Sequence, residues 1–214
     1  MYRLINKNID LLLDTINYDK DILPYIWLVR NLACTNVAKN TEYQRLYRVY
    51  WQLNAARLSE DFCKIYFTLL EKVKLTSTIS VETVARQLLA APSHGNGVMA
   101  LQFSFASKLV HMANHQLPVY DKMVADFYFL PSGPSKEENK DKLNRLLISY
   151  EFLVGEYSRI LKNNFLGHCI ERFHQKFNLG SEYSDIKVID TIIWKFVSML
   201  RRGAVRDKNV VYSR

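Results

Sequence analysis

Residues 102–124 read Gln-Phe-Ser-Phe-Ala-Ser-Lys-Leu-Val-His-Met-Ala-Asn-His-Gln-Leu-Pro-Val-Tyr-Asp-Lys-Met-Val. Phe105, Ala106, Leu109, Met112 and Ala113 recur at helical spacing and make one apolar face, while Ser104, Lys108, His111 and His115 make a polar stripe. Pro118 fixes its own φ and biases Leu117 away from the helical region, so this helix must stop before it. Asp121 then falls where the N-cap of a second helix belongs, where backbone N–H groups and the helix dipole favour its ionised form. The stretch therefore predicts a fixed carboxylate opposite a stripe that carries a lysine.

Ala106-Ser107, the helix that follows them, and Pro118-Val119-Tyr120-Asp121-Lys122-Met123-Val124 resemble the second helix and catalytic-aspartate turn of the helix-hairpin-helix DNA glycosylases, particularly the small 8-oxoguanine branch. The resemblance implies an all-α fold with two helical lobes flanking a cleft, with Asp121 and Lys108 as the catalytic pair. The departures are specific. The family's lysine position holds Ser104 here, and Lys108 lies one helical turn further along the same stripe. Ala100 and Gln102 stand where the family carries Gly-x-Gly, so any hairpin must be rebuilt around Gly95-Asn96-Gly97.

The rest of the chain agrees with a helical nucleic-acid partner. Its 214 residues are 49% hydrophobic, enough for one domain (1–214) or two small lobes sharing a core, with a boundary near 131–140. A net charge of +8 points to polyanions, nucleic acid before acidic membrane surfaces. Cys34, Cys63 and Cys169 lack zinc or iron–sulfur spacing and fit a reducing cytoplasm. No stretch has the form of a signal peptide or a membrane span. The expectation is a soluble cytoplasmic protein with no cofactor, no metal and no obligate protein partner.

Seven glycines and five prolines, with pervasive helical periodicity, predict roughly eight to ten helices and little or no sheet. A first helix is expected from Leu4 to Ile16 and a third from Thr41 through Arg57. In the latter, aromatics alternate with Arg45 and Arg48, a pattern that suits either core packing or contact with phosphates and an extruded base. Trp51 is the candidate for stacking a base and Asn54 for reading its edge. Gly95, Asn96 and Gly97 form a turn able to offer amides to a phosphate, or to serve only as a helix connection.

Ser184-Asp185 opens the last long helix, where Asp190 and Trp194 stand one turn apart. The resemblance makes this helix a wall of the base pocket. Arg201 and Arg202 begin a basic tail suited to phosphate contact.

Cleavage of an N-glycosidic bond builds positive charge on the sugar, so a fixed carboxylate beside the anomeric carbon stabilises the transition state. Asp121 is placed for that. Lys108, as a neutral amine, would attack the sugar and add a lyase step; without it, Asp121 and water suffice, with Ser104 positioning the water. Ser104 and His111 complete the candidate substrate-binding set. The expected partner is duplex DNA carrying a modified base, removed in repair or in defence against phage. A non-catalytic helical nucleic-acid-binding protein, or a protein-interaction module, is the alternative.

Overall fold

The computed structural model describes residues 1–76, 78–94, 97–134 and 136–205, and the helical periodicity of the sequence becomes eleven α-helices with no strand among those residues. They are α1 (Tyr2–Lys7), α2 (Ile9–Asp14), α3 (Leu23–Leu32), α4 (Thr41–Tyr50), α5 (Glu60–Val73) and α6 (Val81–Leu89). After them come α7 (Phe103–Ala113), α8 (Lys122–Phe127), α9 (Asn139–Lys162), α10 (Gly167–Phe177) and α11 (Asp185–Arg201). A π-helical turn, Tyr18–Ile22, leads into α3.

The helix with the most buried residues is α11. Ser184 caps it by accepting from the Lys187 N–H, and Ile189, Ile192, Ile193 and Phe196 are wholly buried. It packs against α8, α10, α2 and α1, while α7 lies against α6 and α5, and α3 against α4. Each such apolar side chain contributes about 1.5–3 kcal/mol on burial, so α11 is fixed mainly by packing. The buried residues form one core running from Ile5 to Val205.

Three differences from the sequence expectation have local causes. The first helix is broken at Asn8, whose side-chain amide donates to the Leu4 carbonyl at 2.8 Å and competes with helix continuation. The helix expected from Thr41 through Arg57 is α4, which Asn40 caps and which stops at Tyr50. Gln52 takes φ +60°, and the N–H groups of Gln52 and Leu53 bond to the carbonyls of Val49 and Arg48, which closes the helix with a left-handed residue other than glycine. Finally, α6 and α7 are joined by residues 90–102, a longer connection than a tight hairpin.

Two loops are pinned. Ser93 is tied to the start of α5, because its carbonyl accepts from the Ser59 N–H, and its side chain bridges Val98 and Ala100. Before α9, Glu137 pairs with Arg145 at 2.6 Å, and Arg145 also donates to the Pro131 carbonyl, so Pro131 and Glu137 are held against α9. No helix among the described residues is long and apolar enough to cross a membrane.

Candidate active site

Asp121 is the N-cap of α8. Its backbone is extended and its Oδ1 accepts from the Val124 N–H at 2.9 Å. The turn before it is fastened at three points. The Leu117 carbonyl contacts His111 Nδ1 at 2.7 Å, Tyr150 donates to the Pro118 carbonyl at 3.0 Å, and the Tyr120 N–H donates to Ser107 Oγ at 3.0 Å. Pro118 ends the helical geometry and these bonds to α7 and α9 hold the turn on both sides of it, so the carboxylate is placed by a rigid turn rather than by a loose loop.

That carboxylate borders a cavity of about 330 Å³, walled by Tyr50, Trp51, Lys108, Lys187, Asp190 and Trp194 among others. Lys108, on α7, donates to the Trp51 carbonyl at 3.1 Å, and its ammonium lies 4.8 Å from the Phe105 ring centre. Lys187 and Asp190, one turn apart on α11, form a 2.8 Å ion pair whose residues are 4% and 5% exposed. The Lys187 ammonium also sits 4.8, 5.2 and 5.6 Å from the ring centres of Trp51, Tyr25 and Tyr50. It is a cation boxed by three aromatic faces and one anion. Asp190 Oδ1 and Trp51 Nε1 are buried with no hydrogen-bond partner among the described residues.

These neighbours shift the titration of the site. Desolvation, then the Asp190 anion, pushes Asp121 up to about 6, against the Val124 N–H and the two lysines. Desolvation pulls Lys108 down to about 8, with Lys187 adding to it and Asp121 and Asp190 opposing. Burial also pulls Lys187 down, but Asp190 and its other neighbours outweigh this and hold it above the ordinary lysine value. In free side chains the Asp and Lys values, 3.8 and 10.5, are nearly seven pH units apart; here the gap is about two. No direct ion pair joins the two, and each lines the cavity between them.

Of the other residues singled out in the sequence, Trp51, Asp190 and Trp194 line the same cavity. Three do not. Asn54 is exposed and accepts from Arg48 Nε at 2.9 Å. Ser104 lies in the first turn of α7, where its carbonyl accepts from Ser107. His111 is wholly buried behind the wall, its Nε2 2.8 Å from the Tyr25 hydroxyl and its proton affinity driven far down by burial, Lys187 and His115. The expected polar stripe of α7 is therefore split: Lys108 faces the cavity, while His111 and His115 share Tyr25.

Gly95 and Asn96 lie outside the described residues. Gly97 is exposed at φ +78°, a conformation that glycine adopts without strain. Arg201 is paired with Asp126, and Arg202 is exposed. The beginning of the basic tail is thus described as far as Val205, and residues 206–214 lie outside. Lys187 escaped sequence reading, although a lysine set among Ile186, Val188 and Ile189 and three residues before Asp190 was a legible sign of a buried pair.

The chain matches no known protein family, no curated protein and no solved structure.

Proposed function

We propose that this protein is a DNA glycosylase of helix-hairpin-helix type, with α6 and α7 as the remodelled hairpin pair, which swings a modified base out of the duplex and cleaves its bond to deoxyribose. One observation carries the reading: a capped carboxylate, Asp121, and a lysine of depressed proton affinity, Lys108, line one cavity without bonding to each other. A reacting sugar between them would meet an anion that stabilises positive charge at C1′ and an amine that can attack it. Tyr50, Trp51 and Trp194 provide aromatic walls for a stacked base. The net charge of +8 favours a polyanionic substrate.

The test is release of free base from duplexes bearing oxidised purines and other modified bases, followed by mass spectrometry, with native protein beside Asp121→Asn. Base release that disappears in the variant while DNA affinity persists is the expected result. DNA binding without release from any of these duplexes would instead favour a non-catalytic nucleic-acid-binding protein.

A further inference from the structure

The cavity holds two carboxylates with unlike surroundings. Asp121, at the tip of α8, is held by a single backbone N–H, from Val124. Asp190, on α11, is clamped to the boxed ammonium of Lys187 through Oδ2, while Oδ1 has no partner among the described residues. A buried ion pair is a poor source of stability, because desolvation offsets most of the attraction, and a carboxylate left half-satisfied is poorer still. Packing alone would be served as well by apolar residues at both places. The pair is nonetheless built into the wall of the cavity that Asp121 borders.

We infer that Asp190, clamped to the Lys187 ammonium in the wall of the cavity that Asp121 borders, is a positioning residue acting through Asp121, dividing the two carboxylates into a fixed charge and a proton carrier. Asp190 is the largest charge contribution acting on Asp121, and it acts to favour protonation. The other titratable groups around Asp121 are Lys108 from α7, Lys187 from α11, Tyr157 from α9 and Tyr120 in its own turn. Burial is the first cause of the shift and the Asp190 anion adds to it, while the Val124 N–H and the two lysines oppose.

The assignment of a reaction step rests on the glycosylase reading. As the attacking group, water or the Lys108 amine, forms its bond to C1′, the C1′–N bond breaks. The base leaves with the bonding electrons and takes a proton from solvent, and the surplus proton of the attacking group passes to Asp121. Asp190 does not exchange a proton in this sequence. Its charge sets how readily Asp121 accepts one.

The experiment is a titration of the Asp121 carboxyl carbon by NMR in the full chain without DNA, comparing native protein with Asp190→Asn and with the double variant Asp190→Asn/Lys187→Met. The double variant removes both charges together and avoids leaving either buried alone. The Asp121 midpoint should fall by about one pH unit or more in Asp190→Asn, and by less in the double variant, and the acid limb of base release should move with it. An unchanged midpoint in the folded variants overturns the inference. A lowered midpoint in a protein that releases no base upholds the charge division and rejects the glycosylase reading, whereas release with an unmoved midpoint does the reverse.

Discussion

The Lys108 ammonium donates to the backbone carbonyl of Trp51 at 3.1 Å, and Trp51 is the C-cap of α4. The carbonyls of a last helical turn have no intrahelical partner and carry the negative end of the helix dipole, so this contact favours the charged lysine. Burial favours the neutral amine and pulls Lys108 down to about 8, against the Asp121 and Asp190 anions. Replacing Lys108 by Met should abolish any covalent adduct trapped by borohydride on cleavable DNA. Unfolding free energy should stay within about 1 kcal/mol, since the lost bond and the relieved desolvation oppose each other. A trapped adduct in the variant would assign the amine elsewhere.

Asp121 has two duties that substitution can separate. Asparagine caps a helix about as well as aspartate, whereas alanine costs about 1 kcal/mol. Both variants should lose base release by a hundredfold or more, but only Asp121→Ala should also unfold earlier, as measured by chemical denaturation. Equal stability losses in the two would show that the charge, rather than the cap, holds α8.

The same residue makes stability depend on pH. Its folded value of about 6 lies above the ordinary 3.8, so the native protein holds a proton that the unfolded chain has released between those limits. Unfolding free energy should therefore decline as the pH climbs from about 4 to about 6, by on the order of 2 kcal/mol. In Asp121→Asn this part of the slope should vanish.

Base release and adduct formation should have different pH profiles. Release requires the Asp121 carboxylate and should rise through about pH 6, while adduct formation also needs the Lys108 amine and should continue to rise through about pH 8. Identical profiles for the two would show that one group governs both.

His111 joins α7 to α3 through Tyr25 and to the turn before α8 through Leu117. His111→Ala should cost about 1–3 kcal/mol, because the Leu117 carbonyl loses its contact with the ring and the Tyr25 hydroxyl keeps only His115. Turnover per folded molecule should change far less than in Asp121→Asn. A loss of turnover as large as that of Asp121→Asn, with stability intact, would return His111 to the substrate.

Proline and capping chemistry act over a few residues, and for that reason the end of α7 before Pro118 and the cap at Asp121 could be read directly from the sequence. The same holds for Ser59, Ser80 and Ser184, each of which accepts from a backbone N–H at its helix start. Burial is a property of the assembled fold and was less legible. Periodicity placed Lys108 and His111 on one stripe, but α7 is covered from several directions, and Tyr25 of α3 takes His111 inside. Similarly, nothing in residues 51–57 announces that Gln52 will turn left-handed, so Asn54 was expected on a helix that had already ended.

The aromatic box around Lys187 has a practical consequence. Of the three tryptophans in the chain, Trp51 and Trp194 border the cavity and only Trp27 lies elsewhere. Indole emission responds to nearby charge and to solvent contact, so anything that enters the hollow or displaces its ammonium groups must alter the light the molecule gives off. The protein thus carries its own optical gauge of occupancy, and an unlabelled titration can be followed at that wavelength before any product is sought.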